Sequence, residues 1–173
     1  AQVEAEKRHF VNDGWEMYDT MEATYKFAGD KIIQWDGKSR NGYNTYGYDR
    51  GTVIYGSEGS VFVNRSMYKL FDRSGKLIKD SKSTSNEAGT DLGGGGDMST
   101  AHVINFLDTV RGKAQLNAPI ADGSITMALE HYSNIAYRIG KGFNIDENTG
   151  RMFDRDAMKL WSRDYENGWE PKL

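Results

Sequence analysis

Apolar and polar residues alternate with period two from Asp19 to Ala28. Met21, Ala23, Tyr25 and Phe27 stand on one side; Thr20, Glu22, Thr24 and Lys26 stand on the other. That spacing predicts a half-buried strand of an antiparallel sheet. Gly29-Asp30 predicts a two-residue hairpin turn, and Lys31 to Trp35 the returning strand, with Ile33 and Trp35 on one face. Residues 1–18 have no strong period, and Asn12-Asp13-Gly14 within them is a turn signal. Residues 36–51, DGKSRNGYNTYGYDRG, predict a long loop, either a binding element on a rigid sheet or a mobile connection. Short strands follow at Thr52–Tyr55, Ser60–Val63, Met67–Phe71 and Lys76–Lys79. Ser57-Glu58-Gly59, Asn64-Arg65-Ser66 and Arg73-Ser74-Gly75 part them. Turns this tight join antiparallel strands, so a meander is expected. Residues 80–98 are mostly small and polar and predict a long flexible loop.

The period then changes to that of a helix. Val103, Phe106, Leu107 and Val110 follow i, i+3, i+4, i+7, after a cap at Ser99 or Thr100 and before a stop at Gly112. A second helix is predicted after Asp122 or Gly123. Its stripe is Ile125, Ala128, Leu129, Tyr132, Ile135, Ala136 and Ile139, and Gly140 stops it. A short third helix is predicted from Arg155 to about Trp161, capped by Asp154, and residues 162–173 form an aromatic, irregular tail. Two amphipathic helices need an apolar surface, and a meander with one apolar face supplies it. The expected class is α+β: an open, meander-like antiparallel sheet with helices packed on one face, as a single domain over residues 1–173. The other face is then solvated or covered by another subunit.

Composition narrows the partners. The chain has 173 residues, enough for one domain with a real core. No apolar run approaches the roughly 20 residues that span a bilayer, and no basic, apolar leader opens the chain, so no membrane partner is expected. Cysteine is absent, which removes disulfides, thiolate metal sites and cysteine nucleophiles. The net charge of −3, without a basic stripe, argues against nucleic acid. Ten tyrosines and four tryptophans supply core, interface anchors or sugar platforms, and composition does not choose among these.

The glycine run Gly93–Gly96 fits neither nucleotide fingerprint. Asp97 stands where a Walker loop needs lysine, and Met98 where a dinucleotide loop needs its third glycine. His9, His102 and His131 are far apart, without helical pairing, so no metal site is expected. No serine stands in a Gly-x-Ser-x-Gly elbow. Two polar rows flank the helix stripes: His102, Asn105 and Thr109, and His131, Asn134 and Arg138. Each is either a solvated, locally bonded flank or a surface for a second domain or a ligand.

Several segments carry a resemblance. Ala101-His102-Val103-Ile104-Asn105-Phe106-Leu107-Asp108 with Val110-Arg111-Gly112-Lys113 resembles the His-x-x-Asn-Phe-Leu-Asp…Arg-Gly segment of the glucose–fructose oxidoreductase/inositol dehydrogenase family. Asn134-Ile135-Ala136-Tyr137-Arg138-Ile139-Gly140 resembles that family's Asn-Ile-Ala-x-Arg-x-Gly helix. Tyr55-Gly56-Ser57-Glu58-Gly59-Ser60-Val61 is similar to its Gly-(Ser/Thr)-Glu-Gly strand turn, and the stretch from Asp19 to Gly37 to the sheet region before it. The match runs in order over most of the chain.

The resemblance implies a C-terminal α+β domain that, in the family, follows an N-terminal Rossmann domain binding NAD or NADP. The family's dinucleotide fingerprint, its Glu-Lys-Pro motif and its Asp-x-x-x-His pair do not occur here, so no catalytic role is carried over to Asp97 or His102. The chain would contribute a wall of a sugar or polyol pocket and a homo-oligomer interface through the sheet face, inactive without the nucleotide domain. Candidate substrate contacts are Trp35, Arg40, Asn41, Tyr43 and Tyr46, with His102 second. Sugar rings stack on aromatic faces, while Asn and Arg satisfy hydroxyls. NAD-dependent glycosidase chemistry in the parent is a variant of this reading. The rival is a non-catalytic module that binds carbohydrate or protein.

Overall fold

The structure, a computed structural model, describes residues 1–15, 17–44, 46–64, 67–81 and 98–170, without the side chains of Lys7, Met98 and Ser99. The glycine run Gly93–Gly96 with Asp97, the break at Arg65-Ser66, and nearly all of the loop predicted over 80–98 lie outside the described residues. In chain order the elements are β1 (Gln2–Arg8), β2 (Thr20–Lys26), β3 (Ile32–Lys38), β4 (Thr52–Tyr55), β5 (Gly59–Val63), β6 (Tyr68–Asp72) and β7 (Leu77–Asp80). Then come α1 (Met98–Val110), α2 (Ile120–Ile139), β8 (Phe143–Asn144) and α3 (Arg155–Met158). The class is α+β with open antiparallel sheets. Two four-stranded sheets stand where the pattern predicted one, ordered β3-β2-β1-β8 and β4-β5-β6-β7. They fall in two compact units, Ala1–Asn41 with Ala118–Leu173, and Gly42–Asn117.

In the first unit β2 behaves as its alternation predicts: Met21, Ala23 and Tyr25 are buried. β1 is the strand that the pattern does not announce. Only Val3 and Ala5 mark its apolar side, yet it lies between β2 and β8, with Val3 opposite Tyr25 and Ala5 opposite Ala23. Directly opposed residues share a face. α2 supplies Tyr132, Ile135 and Ala136 to the core on that face. The small side chains of Ala5, Ala23 and Ala136 allow a close approach, and the Tyr25 hydroxyl donates to the Leu129 carbonyl at 2.8 Å. Phe143, Ile145, Met152 and Ala157 complete the core. Tyr132 meets Phe143 edge-on, with ring centroids 6.3 Å apart, and donates to the Gly150 carbonyl at 2.5 Å.

Caps set the boundaries. α2 starts at Ile120, earlier than predicted, because Pro119 stands before it. A fixed φ and a missing N–H suit proline to a helix start, and Asp122 falls in the first turn, where a negative charge is favourable. Gly140 ends α2 in the left-handed region at φ 69°, and its N–H reaches the Ala136 carbonyl, as expected. Asp154 caps α3 by accepting from the Asp156 and Ala157 amides at 2.9 and 3.0 Å. Between β2 and β3 both Gly29 and Asp30 have positive φ, which glycine and short polar residues tolerate. The face turned away from the core is polar: Gln2, Glu4, Glu6 and Arg8 on β1, Thr20, Glu22, Thr24 and Lys26 on β2. Tyr25 and Trp35 lie on the other side.

In the second unit a two-residue hairpin, Ser57-Glu58, joins β4 to β5, closed by the Gly56 N–H donating to the Gly59 carbonyl at 2.8 Å. Phe62 is the buried residue of this sheet. Tyr48 stacks on it at 5.1 Å and Tyr46 lies tilted at 5.9 Å. The opposite face carries Ile54, Val61, Val63, Tyr68 and Leu70 in cross-strand rows. α1 forms where predicted, but Val103, Phe106, Leu107 and Val110 of its stripe are exposed. Asn105 instead pins the segment after the helix. Its amide nitrogen donates to the Gln115 carbonyl and its oxygen accepts from the Asn117 N–H.

Candidate functional site

The loop after β1 runs from His9 to Asp19, whose side chain gathers the start of the loop and whose main-chain carbonyl meets the end of β3. Asp19 is buried, and its Oδ2 accepts from the Phe10 and Val11 amides at 2.7 and 2.8 Å. Its Oδ1 accepts from the Thr20 hydroxyl at 2.9 Å, and its carbonyl accepts from the Ser39 amide and hydroxyl. The Val11 N–H holds the Asp19 carboxyl below the usual carboxylate range, with Thr20, Phe10 and a nearby His9 adding to the effect. A carboxyl with a lowered folded pKa stabilises fully above its unfolded value, about 4, and loses that stabilisation as pH falls through the lower folded value. Thermal melts are therefore expected to weaken below about pH 4. Asp19→Asn should melt earlier at pH 7 and show a smaller additional loss at pH 3. A variant with the full acid sensitivity of the parent would assign that loss to other groups.

An open cleft of about 230 Å³ is lined by His9, Asp13, Trp15, Tyr18, Asp19 and Arg40 among others. Asp13 is its hub. Its Oδ2 accepts from an Arg40 guanidinium nitrogen at 2.7 Å, and its Oδ1 accepts from the Trp15 amide at 3.0 Å. The His9 Nε2 lies 3.7 Å from the same Oδ1. The guanidinium also sits 6.0 Å from the centre of the Trp15 ring, at the outer reach of a cation–π contact. Tyr18 adds a wall that rests on α2: its ring is 4.7 Å from that of Tyr137, and its hydroxyl donates to Asn134 at 3.3 Å. Burial pushes the Tyr18 phenol up. The cleft thus offers an aromatic side, a guanidinium donor and a carboxylate acceptor within one short loop and one strand end.

Of the residues singled out in the sequence, Arg40 lies in this cleft. Trp35 does not line it. Its indole lies across Gly37 on the same strand, where an added Cβ would come 2.6 Å from Nε1. The Asn41 N–H donates to the Lys38 carbonyl at 3.3 Å. Tyr43, Tyr46 and His102 belong to the second unit, and all three are exposed. There the Tyr46 and Tyr55 hydroxyls lie 3.1 Å apart, which pushes the Tyr55 phenol up. His9, Asp13 and Trp15 escaped the sequence reading. The available signal was the Asn12-Asp13-Gly14 turn, flanked by an imidazole and an indole. Local bonds account for part of the first row, through Asn105 and through Thr109 donating to the Asn105 carbonyl, while in the second row Asn134 accepts from Tyr18, far away in the chain.

Among the described residues no group of three or more His, Asp or Glu could hold a metal ion, and no helix is long and apolar enough to cross a membrane. Compared with known proteins, the chain matches no family model and no curated protein.

Proposed function

We propose that this chain is the substrate-binding and oligomerisation domain of an NAD- or NADP-dependent sugar or polyol oxidoreductase. The cleft carries the reading: Trp15, Arg40, Asp13 and His9 form a small site with an aromatic wall and paired hydrogen-bonding groups. Such a set suits a polyhydroxylated ring, whose apolar face stacks while its hydroxyls donate and accept. The in-order likeness of Tyr55–Val61, Ala101–Lys113 and Asn134–Gly140 to the glucose–fructose oxidoreductase/inositol dehydrogenase family supports the same reading. The nicotinamide cofactor, which supplies hydride chemistry, then belongs to a Rossmann domain outside this sequence, and the chain alone transfers no hydride. NAD-dependent glycosidase chemistry in the parent would use the same cleft. Association of copies is part of the proposal, through the face of β4–β7 bearing Ile54, Val61, Val63 and Leu70. The exposed Tyr46–Tyr55 pair favours the second reading, a non-catalytic carbohydrate- or protein-binding module.

Titration calorimetry of the chain is expected to show no binding of NAD or NADP and saturable binding of a neutral sugar or polyol. Trp15→Ala and Arg40→Ala should each abolish the sugar signal. Tight dinucleotide binding to the chain alone, or sugar binding indifferent to both substitutions, would overturn the assignment.

A further inference from the structure

β3 closes one end of the sheet β3-β2-β1-β8 and pairs with β2. The Phe27 N–H donates to the Lys31 carbonyl and the Ser39 N–H to the Asp19 carbonyl, at 2.9 and 2.8 Å. These two pairs flank the β2–β3 ladder. Hydrogen-bonded pairs alternate along an antiparallel register, so Ile33, Trp35 and Gly37 turn their main-chain groups to β2. Ile32, Gln34, Asp36 and Lys38 turn theirs outward, and among the described residues no strand pairs with them. β3 runs seven residues with neither a bulge nor a proline, two of the devices that blunt an edge. Its charged side chains, Asp36 and Lys38, pair with each other. Ile33 and Trp35 share the core side with Tyr25 and Ala23, yet they are 47 % and 60 % exposed. Apolar surface thus continues past the core up to this edge.

A second copy of the same strand complements it. We infer that two chains associate through their β3 edges, antiparallel about a twofold axis at Gln34. Outward residues must face outward residues, which leaves few registers. With Gln34 opposite Gln34 of the second copy, Ile32 and Asp36 stand opposite each other on both sides of the axis. That register makes three hydrogen-bonded pairs, about six main-chain bonds. On the core side it sets Ile33 against Trp35 of the second copy, twice over, a β-branched–aromatic pair that sheets favour. At each end it brings Lys38 toward Asp30 of the other chain, which carries the opposite charge. Sliding by two residues either way is worse. One slide sets Asp36 against Asp30, a like-charge pair, and the other leaves Ile33 opposite Gly37, which has no side chain to meet it. A ladder this short buries less than a permanent dimer does, so the association depends on concentration. This surface shares no residue with the β4–β7 face proposed above, and substitutions tell the two apart.

The 173-residue chain has no cysteine, so single cysteines test the register directly. Cα atoms of a hydrogen-bonded pair lie about 5.5 Å apart, within disulfide reach. Gln34→Cys should therefore cross-link two chains under mild oxidation. Asp36→Cys should do so far more slowly, because its two copies stand four residues apart along the ladder, about 13 Å. Gln34→Pro removes an outward N–H that β2 does not use, and an edge strand tolerates proline. By sedimentation velocity it should weaken dimerisation about tenfold or more, with circular dichroism like the parent's. Ile54→Asp, on the β4–β7 face, should leave cross-linking at Gln34→Cys unchanged. Hydrogen exchange of the Ile32, Gln34, Asp36 and Lys38 amides should slow as concentration rises. If Gln34→Pro does not fold, the cross-links and the exchange rates decide. Slow exchange of these amides at every concentration means that the chain covers its own edge, and fast exchange at every concentration that no second copy does; either overturns the inference. So does cross-linking as fast at Asp36→Cys as at Gln34→Cys, or dimerisation that Ile54→Asp abolishes and Gln34→Pro leaves intact.

Discussion

Replacing Gly59 with alanine is expected to destabilise the second unit by about 3 kcal/mol. Gly59 opens β5 and lies opposite Asp72 on β6. An ideal Cβ there would stand 2.2 Å from the Phe71 carbonyl oxygen and 3.2 Å from its carbonyl carbon. These are backbone atoms of a paired strand, so no side chain can swing aside to relieve the contact. The strands must separate at the mouth of the hairpin, where the Gly56–Gly59 bond closes the turn and the β5–β6 ladder begins. Losing that register weakens the whole meander, because β5 and β6 are its two inner strands. Urea denaturation followed by far-ultraviolet circular dichroism measures the loss, and hydrogen exchange should show it first in the β5 and β6 amides. Gly56→Ala is the contrast: an added Cβ there meets its nearest atom at 3.5 Å, an ordinary contact. Equal effects from the two substitutions would mean that the clash at Gly59 is not what sets its cost.

The same hairpin marks what a sequence can reveal. Its glycines and the strands around them are visible as composition, and so is the period-two face of β2, because the buried residues there are large and regularly spaced. β1 escapes because its buried side consists of Val3 and Ala5, too little apolar volume to raise a period above its charged neighbours. α1 shows the converse. Its stripe is legible and the helix forms, yet periodicity states that a face is apolar and not what covers it. The cleft was hardest to see. Arg40 was visible as a polar residue in an aromatic loop, but Asp13, His9 and Trp15 come from an irregular segment whose shape is set by Asp19 gathering backbone amides from eight and nine residues away. Hydrogen bonds to main-chain N–H groups leave no side-chain pattern in the partner residues, so no spacing rule finds them.

Met21→Ala is expected to cost about 3 kcal/mol in the first unit, and to weaken the cleft with it. Met21 is 2 % exposed and, with Val3, among the largest fully buried side chains. It lies on β2 between Lys7 of β1 and Gly37 of β3 and belongs to the core cluster with Val3, Ala23, Tyr25, Tyr132 and Ile135. Truncating a fully buried methionine costs the lost transfer energy plus a term for the cavity left behind. Met21→Leu nearly conserves volume and should cost less than about 1.5 kcal/mol. All four tryptophans, Trp15, Trp35, Trp161 and Trp169, stand in this unit, so urea titration followed by tryptophan emission reads it directly. Met21 is also two residues from Asp19, whose bonds to Phe10, Val11 and Ser39 hold the cleft loop on the strand ends. Loosening the start of β2 frees that anchor before the unit unfolds. If the cleft binds sugar as proposed, affinity should then fall in Met21→Ala under conditions where its circular dichroism is still native, and remain near the parent value in Met21→Leu. Unchanged affinity in a measurably destabilised Met21→Ala would separate the cleft from the core and assign its shape to the Asp19 bonds alone.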